Sequence, residues 1–528
     1  MKPFLLSSGP DQEQSLSGLT QKIFDYLLNM FPIACSSDEF WFFPQVVHKE
    51  ISLCRWDHFS QETILGCCQK LSRWDMDIQA LVDIRSPSNE TELDAYLVSN
   101  MVRTLQEHLE YFRPWERQPT FHLTIACIGL SQALTFGSTE YLRQRVLTLP
   151  AFLKRASTVL KNVPALFMES GLNMIKDTRL FFNDCISIFP EMQAAIEALD
   201  DLKQTMIQLP VMDNFLIPTE DYAHLVDAHM QTRLDLKTIS DMLDSEICQA
   251  QENLNNRCSS HQSSEYLKTV AQKQCIKPEK NSALSWFSKE VHRLKSHCEK
   301  HHIISEVISQ NCPVRIDHVP NYLKAIRTAS SYSFSPFQKK CQGTFYVLSN
   351  EAEMQKNGTW CLSNETPMLT AHETYPGHHL LDASRSRLSR WIRRPLESPL
   401  FYEGWACFSE VLMLQTNFYE TTDALYLINK RRLWRAVRGK IDLNIHWGKM
   451  TVDEAADHLH KAGIDLTRAQ KIVRQYPLHP GYQLCYTIGL IRFLELQSSS
   501  TLPMETWIQT ILSAGEIPFA FLEKLLRG

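Results

Sequence analysis

The sequence predicts a mainly α-helical protein with one small β-sheet, and two observations carry that prediction. Along most of the 528 residues, apolar side chains recur at intervals of three and four, the period of a helix with one buried face. Runs with strand character are few. The clearest, "GTFYVLS" at 343–349, follows the segment "KKCQG".

Taken in order, the start "MKPFLLSSGPDQEQ" holds only a short apolar stretch, less than a secretory leader requires. "LDAYLVSNMVRTLQEHLEYF" and "LPAFLKRASTVLKNVPALFMESGLNMI" have helical spacing, the second on both sides of its proline. Between them lies "FHLTIACIGLSQALTF", whose His, Ser, Gln and Thr keep it short of a membrane span. "HMQTRLDLKTISDMLDSEICQAQENL" and "NSALSWFSKEVHRLKSHCEKHHIISEVI" continue the pattern, and the polar stretch 251–281 between them reads as an exposed connection. Pro313, Pro320, Pro336 and Pro367 punctuate a less regular region, with the expected sheet at 313–349. From Pro399 onward the chain is helical again. We expect a single two-lobed body over residues 1–528, with 1–300 forming one wall of a cleft and 301–528 carrying the chemistry.

Composition narrows the partners. A net charge of −5 leaves no basic footprint for nucleic acid and no polybasic patch for a membrane surface. The 15 cysteines are scattered, odd in number and without a C-x-x-C pair, so reduced thiols and a cytoplasmic location are expected.

The chemistry centres on "AHETYPGHHL" at 371–380. His372-Glu373 opens like the zinc signature H-E-x-x-H, but Pro376 stands where the second histidine belongs. A helix is expected over 366–375, with Thr366 as N-cap and Pro367 at its first position. On an unbroken helix His378 would lie about 240° round from His372, and His379 about 10 Å along the axis. Neither could then share a metal with His372. Pro376-Gly377 is the pair most able to break the helix, and a local bulge there would return His378 to the ligand position.

A third ligand is supplied by "YEGWACFSEVL" at 402–412: Glu403 follows His378 by 25 residues, and Glu410 lies two turns further on the same face. Such a pair suits one metal ligand and one carboxylate that orients a ligand histidine. Trp405 and Phe408 can pack this helix down.

These residues resemble the H-E-x-Y-P-G-H-H and E-G-W-A-x-(Y/F)-x-E signatures of domain of unknown function family 885, a mainly bacterial group with a zincin-like, largely helical fold. "LPAFLKRASTVLKNVPALFMESGL", "GTFYVLSN", "RAVRGKIDLNIHWGKMTVDEAADHL" and "HPGYQLCYTIGLIRFLEL" are similar to other blocks of that family, from about residue 90 to the end. The spacing of Glu403 and Glu410 also resembles thimet-type oligopeptidases. The resemblance implies metallopeptidase activity with one Zn2+ per chain, held by His372, His378 and Glu403, with Glu373 as general base. It makes Tyr486 the candidate donor to the oxyanion, with Tyr482 second. Cys407 departs from the family's usual leucine on the ligand face, where it reads as a small buried apolar filler or, as a substrate contact, reshapes the pocket; Cys485 replaces a small residue beside Tyr486.

Several supporting roles follow. His379 belongs to the pocket wall or replaces His378 as ligand, and His479 could assist the oxyanion. Arg438, Asp442 and His446 recur every four residues on one helix face, as a polar network behind the site or, for an arginine, a partner for a substrate carboxylate. Arg431 and Arg432 read equally well as a solvated face. His297 and His301 lack a completing carboxylate and read as surface residues. The "GTFYVLS" strand, with Tyr346, could align a peptide by strand addition.

The leading expectation is a zinc hydrolase acting on a short peptide or an amide-containing small molecule. Two other readings stay open. The same two-histidine, one-carboxylate set serves non-haem iron oxygenases, although these have no need of Glu373. A non-catalytic binding protein could also retain the cleft.

Overall fold

The computed structural model describes residues 10–47, 50–260, 274–276, 283–324, 327, 329–334, 342–348, 352–354, 360–419 and 423–527. The expected helix connection at 251–281 lies partly outside these residues, as do Pro336 and the amino-terminal nine. The protein is mainly α. Long helices such as Pro10–Met30, Gln61–Leu81, Glu90–Glu107, Thr139–Val159 and Leu236–Ser260 fill the first half. Local chemistry starts several of them: Ser60 accepts from the N–H of Thr63, Asn89 from that of Glu92. Pro150, inside 139–159, is accommodated within a continuous helix. No helix among the described residues is long and apolar enough to cross a membrane.

The helices that build the site come late in the chain. Pro399–Gln415 packs along Tyr482–Ser499, and Ala424–His446 packs against both Tyr482–Ser499 and Leu236–Ser260. The first pair meets glycine to glycine: a Cβ on Gly404 would lie 2.6 Å from the Cα of Gly489. Only hydrogen side chains permit that approach, and it brings Glu403, next to Gly404, alongside Tyr482 and Tyr486.

The expected sheet is present. Val314–His318 pairs in parallel with Gly343–Val347, which pairs antiparallel with Ser331–Phe334. Strand 343–347 is therefore central, with both edges occupied. That corrects the expectation that it aligns a peptide: its main-chain groups are already in ladders. Its near-complete burial follows, with Phe345 and Val347 packed against Phe287. Tyr346, paired with Asp317 and Ser331, does not line the cleft. A second, antiparallel sheet joins Gln274–Ile276, Trp360–Leu362 and Ala352–Met354.

Candidate metal centre

The first ligand helix runs Thr366–Glu373, with Glu365 rather than Thr366 at its N-cap and Pro367 in its first turn. The insertion then divides the segment more completely than a bulge would. Residues 374–377 leave the helix, the Tyr375–Pro376 bond is cis, and a new helix, His378–Arg385, starts on the second ligand. Gly377 donates to the carbonyl of Ala371 at 3.0 Å, folding the chain back over the end of the first helix. A Cβ there would sit 1.8 Å from the carbonyl oxygen of His372, so only glycine fits. Trp405, fully buried, donates its indole N–H to the carbonyl of Pro376 at 2.8 Å. The buried phenol of Tyr375 donates to the carbonyl of Cys312 at 3.0 Å.

This fold-back brings His372, His378 and Glu403 together, each less than a tenth exposed. Nε2 of His372 lies 3.6 Å from Oε2 of Glu403, and Nε2 of His378 lies 3.5 Å from the same oxygen. These are long for hydrogen bonds. Tetrahedral ligands at about 2.0–2.1 Å from a zinc ion lie about 3.3 Å from one another, close to what is seen. Oε2 of Glu403 is buried and has no hydrogen-bond partner. The residues fit a metal.

Among the described residues a second group, Glu107, His224 and His229, shares this donor set. There Oε2 of Glu107 lies 2.8 Å from His224 and 2.7 Å from His229. Those are ordinary hydrogen bonds, and we read the group as a polar clasp between two helical segments.

Behind the first ligand, Nδ1 of His372 lies 3.0 Å from Oε1 of Glu410. Glu410 in turn receives two hydrogen bonds from Arg431, at 2.7 and 3.0 Å, and two from Arg435, at 2.6 and 3.0 Å. Burial works against its ionisation, but Arg431 and Arg435 hold the carboxyl well below the usual range. Burial likewise opposes protonation of His372, yet the neighbouring Cys407, Glu403 and Glu410 raise it well above its ordinary value. The pocket favours positive charge. His378 lacks such a support: its ring stacks on Tyr402 at 4.1 Å, and its Nδ1 has no hydrogen-bond partner.

Glu373 lines the same cavity of about 820 Å3, and its Oε2 accepts from the backbone N–H of Tyr332 at 2.9 Å. The carbonyl of Tyr332 is taken by Arg327. The outer edge of strand 331–334 is thus occupied at Tyr332, and the sheet anchors Glu373. Tyr482 donates to Oε1 of Glu403 at 2.8 Å, and Tyr486 lies edge-on to Tyr482 with ring centroids 6.0 Å apart. Burial and the Glu403 carboxylate push both phenols up, keeping them O–H donors.

The other expected residues divide. His379 points away from the triad: Nδ1 meets the Tyr332 hydroxyl at 3.0 Å, and Nε2 meets the Cys312 carbonyl at 2.9 Å. Burial lowers it to about 4, so it is a neutral pin of the fold-back. Asp442 accepts from the N–H groups of Gly481 and Gln483 at 3.1 Å each and from Tyr222 at 3.2 Å. It fixes the start of the helix that carries Tyr482. His446 stacks on Tyr222 at 4.7 Å, away from the cleft. His479 is exposed and lines the continuation of the cleft beyond Tyr482 and Tyr486. Cys407 is buried against His372 and does not line the cavity, which fits the filler reading and corrects the alternative of a substrate contact. Arg432 pairs with Glu246 in two bonds, and His297 bonds Thr416 at 2.9 Å. Of residues 1–300, Asp38, Glu39 and Trp41 reach the cleft.

Sequence reasoning missed Arg435, Tyr332 and Tyr402. Arg431 and Arg435, four apart on one helix, carried a signal, since two arginines on one face can clamp one carboxylate. Tyr332 is distant in sequence and is recruited by sheet pairing, which no local pattern reports.

A mainly helical protein with a buried two-histidine, one-glutamate group able to hold a metal is the class that fold and site define. The chain belongs to the family described as "Bacterial protein of unknown function (DUF885)", whose model matches residues 185–526. The match begins later than the residue 90 at which the resemblance was expected. Two solved structures share the fold. A "putative lipoprotein of unknown function from Shewanella oneidensis" is 14% identical, covering 97% of this chain and 100% of its own, with a TM-score of 0.74. A "putative lipoprotein from Colwellia psychrerythraea" is 14% identical, covering 98% and 99%, with a TM-score of 0.75. No curated protein matches the sequence.

Proposed function

We propose that the chain is a zinc-dependent hydrolase of peptide or related amide bonds with a zincin-like centre. The observation that carries this reading is the metal-sized spacing of His372 and His378 around an otherwise unpartnered Glu403 oxygen. These three residues would hold one zinc ion, which when bound lowers the pKa of a water to near neutrality and polarises a carbonyl. Glu373, anchored by Tyr332, takes a proton from the attacking water and returns it to the leaving amine. Tyr486, with Tyr482 second, donates an O–H to the oxyanion that develops on the substrate. Tyr482 also steadies Glu403.

Hydrolysis accounts for Glu373; oxygen chemistry at the same ligand set gives that carboxylate no task. A cavity of about 820 Å3 suits a short peptide or an amide-containing small molecule. The two structural neighbours carry the description of lipoproteins, which favours the cell envelope for those proteins. For this chain the scattered cysteines, 15 in number and without a C-x-x-C pair, favour a reducing, cytoplasmic setting.

The test is digestion of a peptide library read by mass spectrometry, with metal content measured on protein purified without added metal. Zinc in the protein, cleavage lost on chelation and cleavage lost in Glu373→Gln are expected. Iron in place of zinc, or products unchanged in Glu373→Gln, would overturn the reading.

A further inference from the structure

Arg438 lines the cleft beside the candidate catalytic phenols, and among the described residues it forms no ion pair. Its guanidinium carbon lies 4.3 Å from the ring centre of Trp434 and 4.8 Å from that of Tyr486. One nitrogen donates to the side-chain oxygen of Gln483. Nε is buried without a hydrogen-bond partner. So is the hydroxyl of Tyr476, whose ring centre is 5.8 Å from the same guanidinium.

Three other arginines of this cavity wall set the contrast, while Arg468, also without an ion pair among the described residues, is exposed to water. Arg327 faces Asp38 and Glu39, Arg431 faces Glu365 and Glu410, and Arg435 faces Glu410. Asp442, four residues beyond Arg438, is committed to Gly481, Gln483 and Tyr222. Among the described residues no carboxylate lies within ion-pair distance of Arg438. A half-buried cation held between aromatic rings, with only a neutral amide as acceptor, is a site that an anion completes. Its planar fork suits a carboxylate in particular.

We propose that Arg438 is the subsite for a free carboxylate of the substrate. Tyr486 neighbours both Arg438 and Glu403, so that carboxylate would lie near the scissile bond. The substrate class is then a peptide cut close to its C-terminus, or an N-acylated amino acid, in preference to an internal or amidated peptide bond. This inference rests on the hydrolase reading for the cleavage step and is independent of it for binding.

Two measurements separate the two. Zinc-loaded wild type, Arg438→Lys and Arg438→Met are titrated by calorimetry with N-acetylphenylalanine and with its amide. The acid is expected to bind wild type at least about tenfold more tightly than the amide, the preference shrinking in Arg438→Lys and vanishing in Arg438→Met. In parallel, kcat/KM is compared for one short peptide with a free or an amidated C-terminus. The acid-to-amide ratio is expected to be large in wild type and to fall by about tenfold or more in Arg438→Met. Equal binding of acid and amide by wild type, or an undiminished preference in Arg438→Met, overturns the subsite. Selective binding of the acid without cleavage of any peptide leaves the subsite standing and removes the hydrolase reading.

Discussion

The indole N–H of Trp405 and the carbonyl of Pro376 are joined at 2.8 Å, so the residue two after one candidate metal ligand holds the residue two before another. Glu403 and His378 are thereby fixed relative to one another through the insertion that separates the histidines. Trp405 packs edge-on to Phe493 at 5.6 Å and tilted against Phe408 at 5.9 Å. Trp405→Phe keeps most of that packing while leaving the Pro376 carbonyl unpaired. We expect a loss of about 1–3 kcal/mol in urea unfolding. Zinc affinity, measured against a competing chelator, should also weaken. An unchanged affinity would show that the fold-back needs no external support.

Gly377→Ala tests the fold-back from the other side. A methyl group placed 1.8 Å from the carbonyl oxygen of His372 forces the two ligand helices apart. The variant should lose zinc outright while keeping its helical circular dichroism, because the core lies in many other helices. Stoichiometric zinc in Gly377→Ala would refute this account of the motif.

The triad was legible in the sequence because its ligands sit in two short motifs and the helix geometry excludes an unbroken segment. What the sequence could not report is how the chain is interrupted. It suggested a bulge within one helix, and the structure has two helices with four residues between them. Strand 343–347 was legible as a strand, yet its central position depends on partners found only in three dimensions. The same limit hid Tyr332, which reaches Glu373 by that pairing.

Glu410 orients His372, and two arginines orient Glu410. Glu410→Gln removes the charge that fixes the ring, and Arg435→Met removes half of the clamp. Each is expected to weaken zinc binding by about 10–100-fold, the range seen when a metal ligand loses its orienting partner. Competition titration reads the effect directly. If Glu410→Gln binds zinc as wild type does, the carboxylate has only a packing role.

Chelation should destabilise the protein as well as empty the site. The histidines and Glu403 are buried, and removal of the ion leaves them with no partner of matching charge at the centre of the group. Excess zinc is expected to raise the unfolding free energy by about 2.7 kcal/mol at a hundred times its dissociation constant. His378→Ala should abolish that increment. A zinc-dependent rise that survives His378→Ala would place the stabilising ion elsewhere, with the Glu107 clasp as the first alternative to examine.

Asp442 gives a pH dependence whose sign can be worked out. Burial pushes its carboxyl up to about 7, against the N–H groups of Gly481 and Gln483, from an ordinary value near 3.8. The folded state therefore holds the proton more tightly than the unfolded state. The stability tied to that proton is fully present below about pH 4 and is lost as the pH rises through about 7. Asp442→Asn removes the titrating group. With chelator present in both samples, wild type should lose up to a few kcal/mol relative to Asp442→Asn between about pH 5 and about pH 8. Urea unfolding at several pH values measures this. A flat difference, or one that moves in favour of wild type as pH rises, would mean that the three hydrogen bonds keep the carboxylate ionised and that burial is the weaker effect.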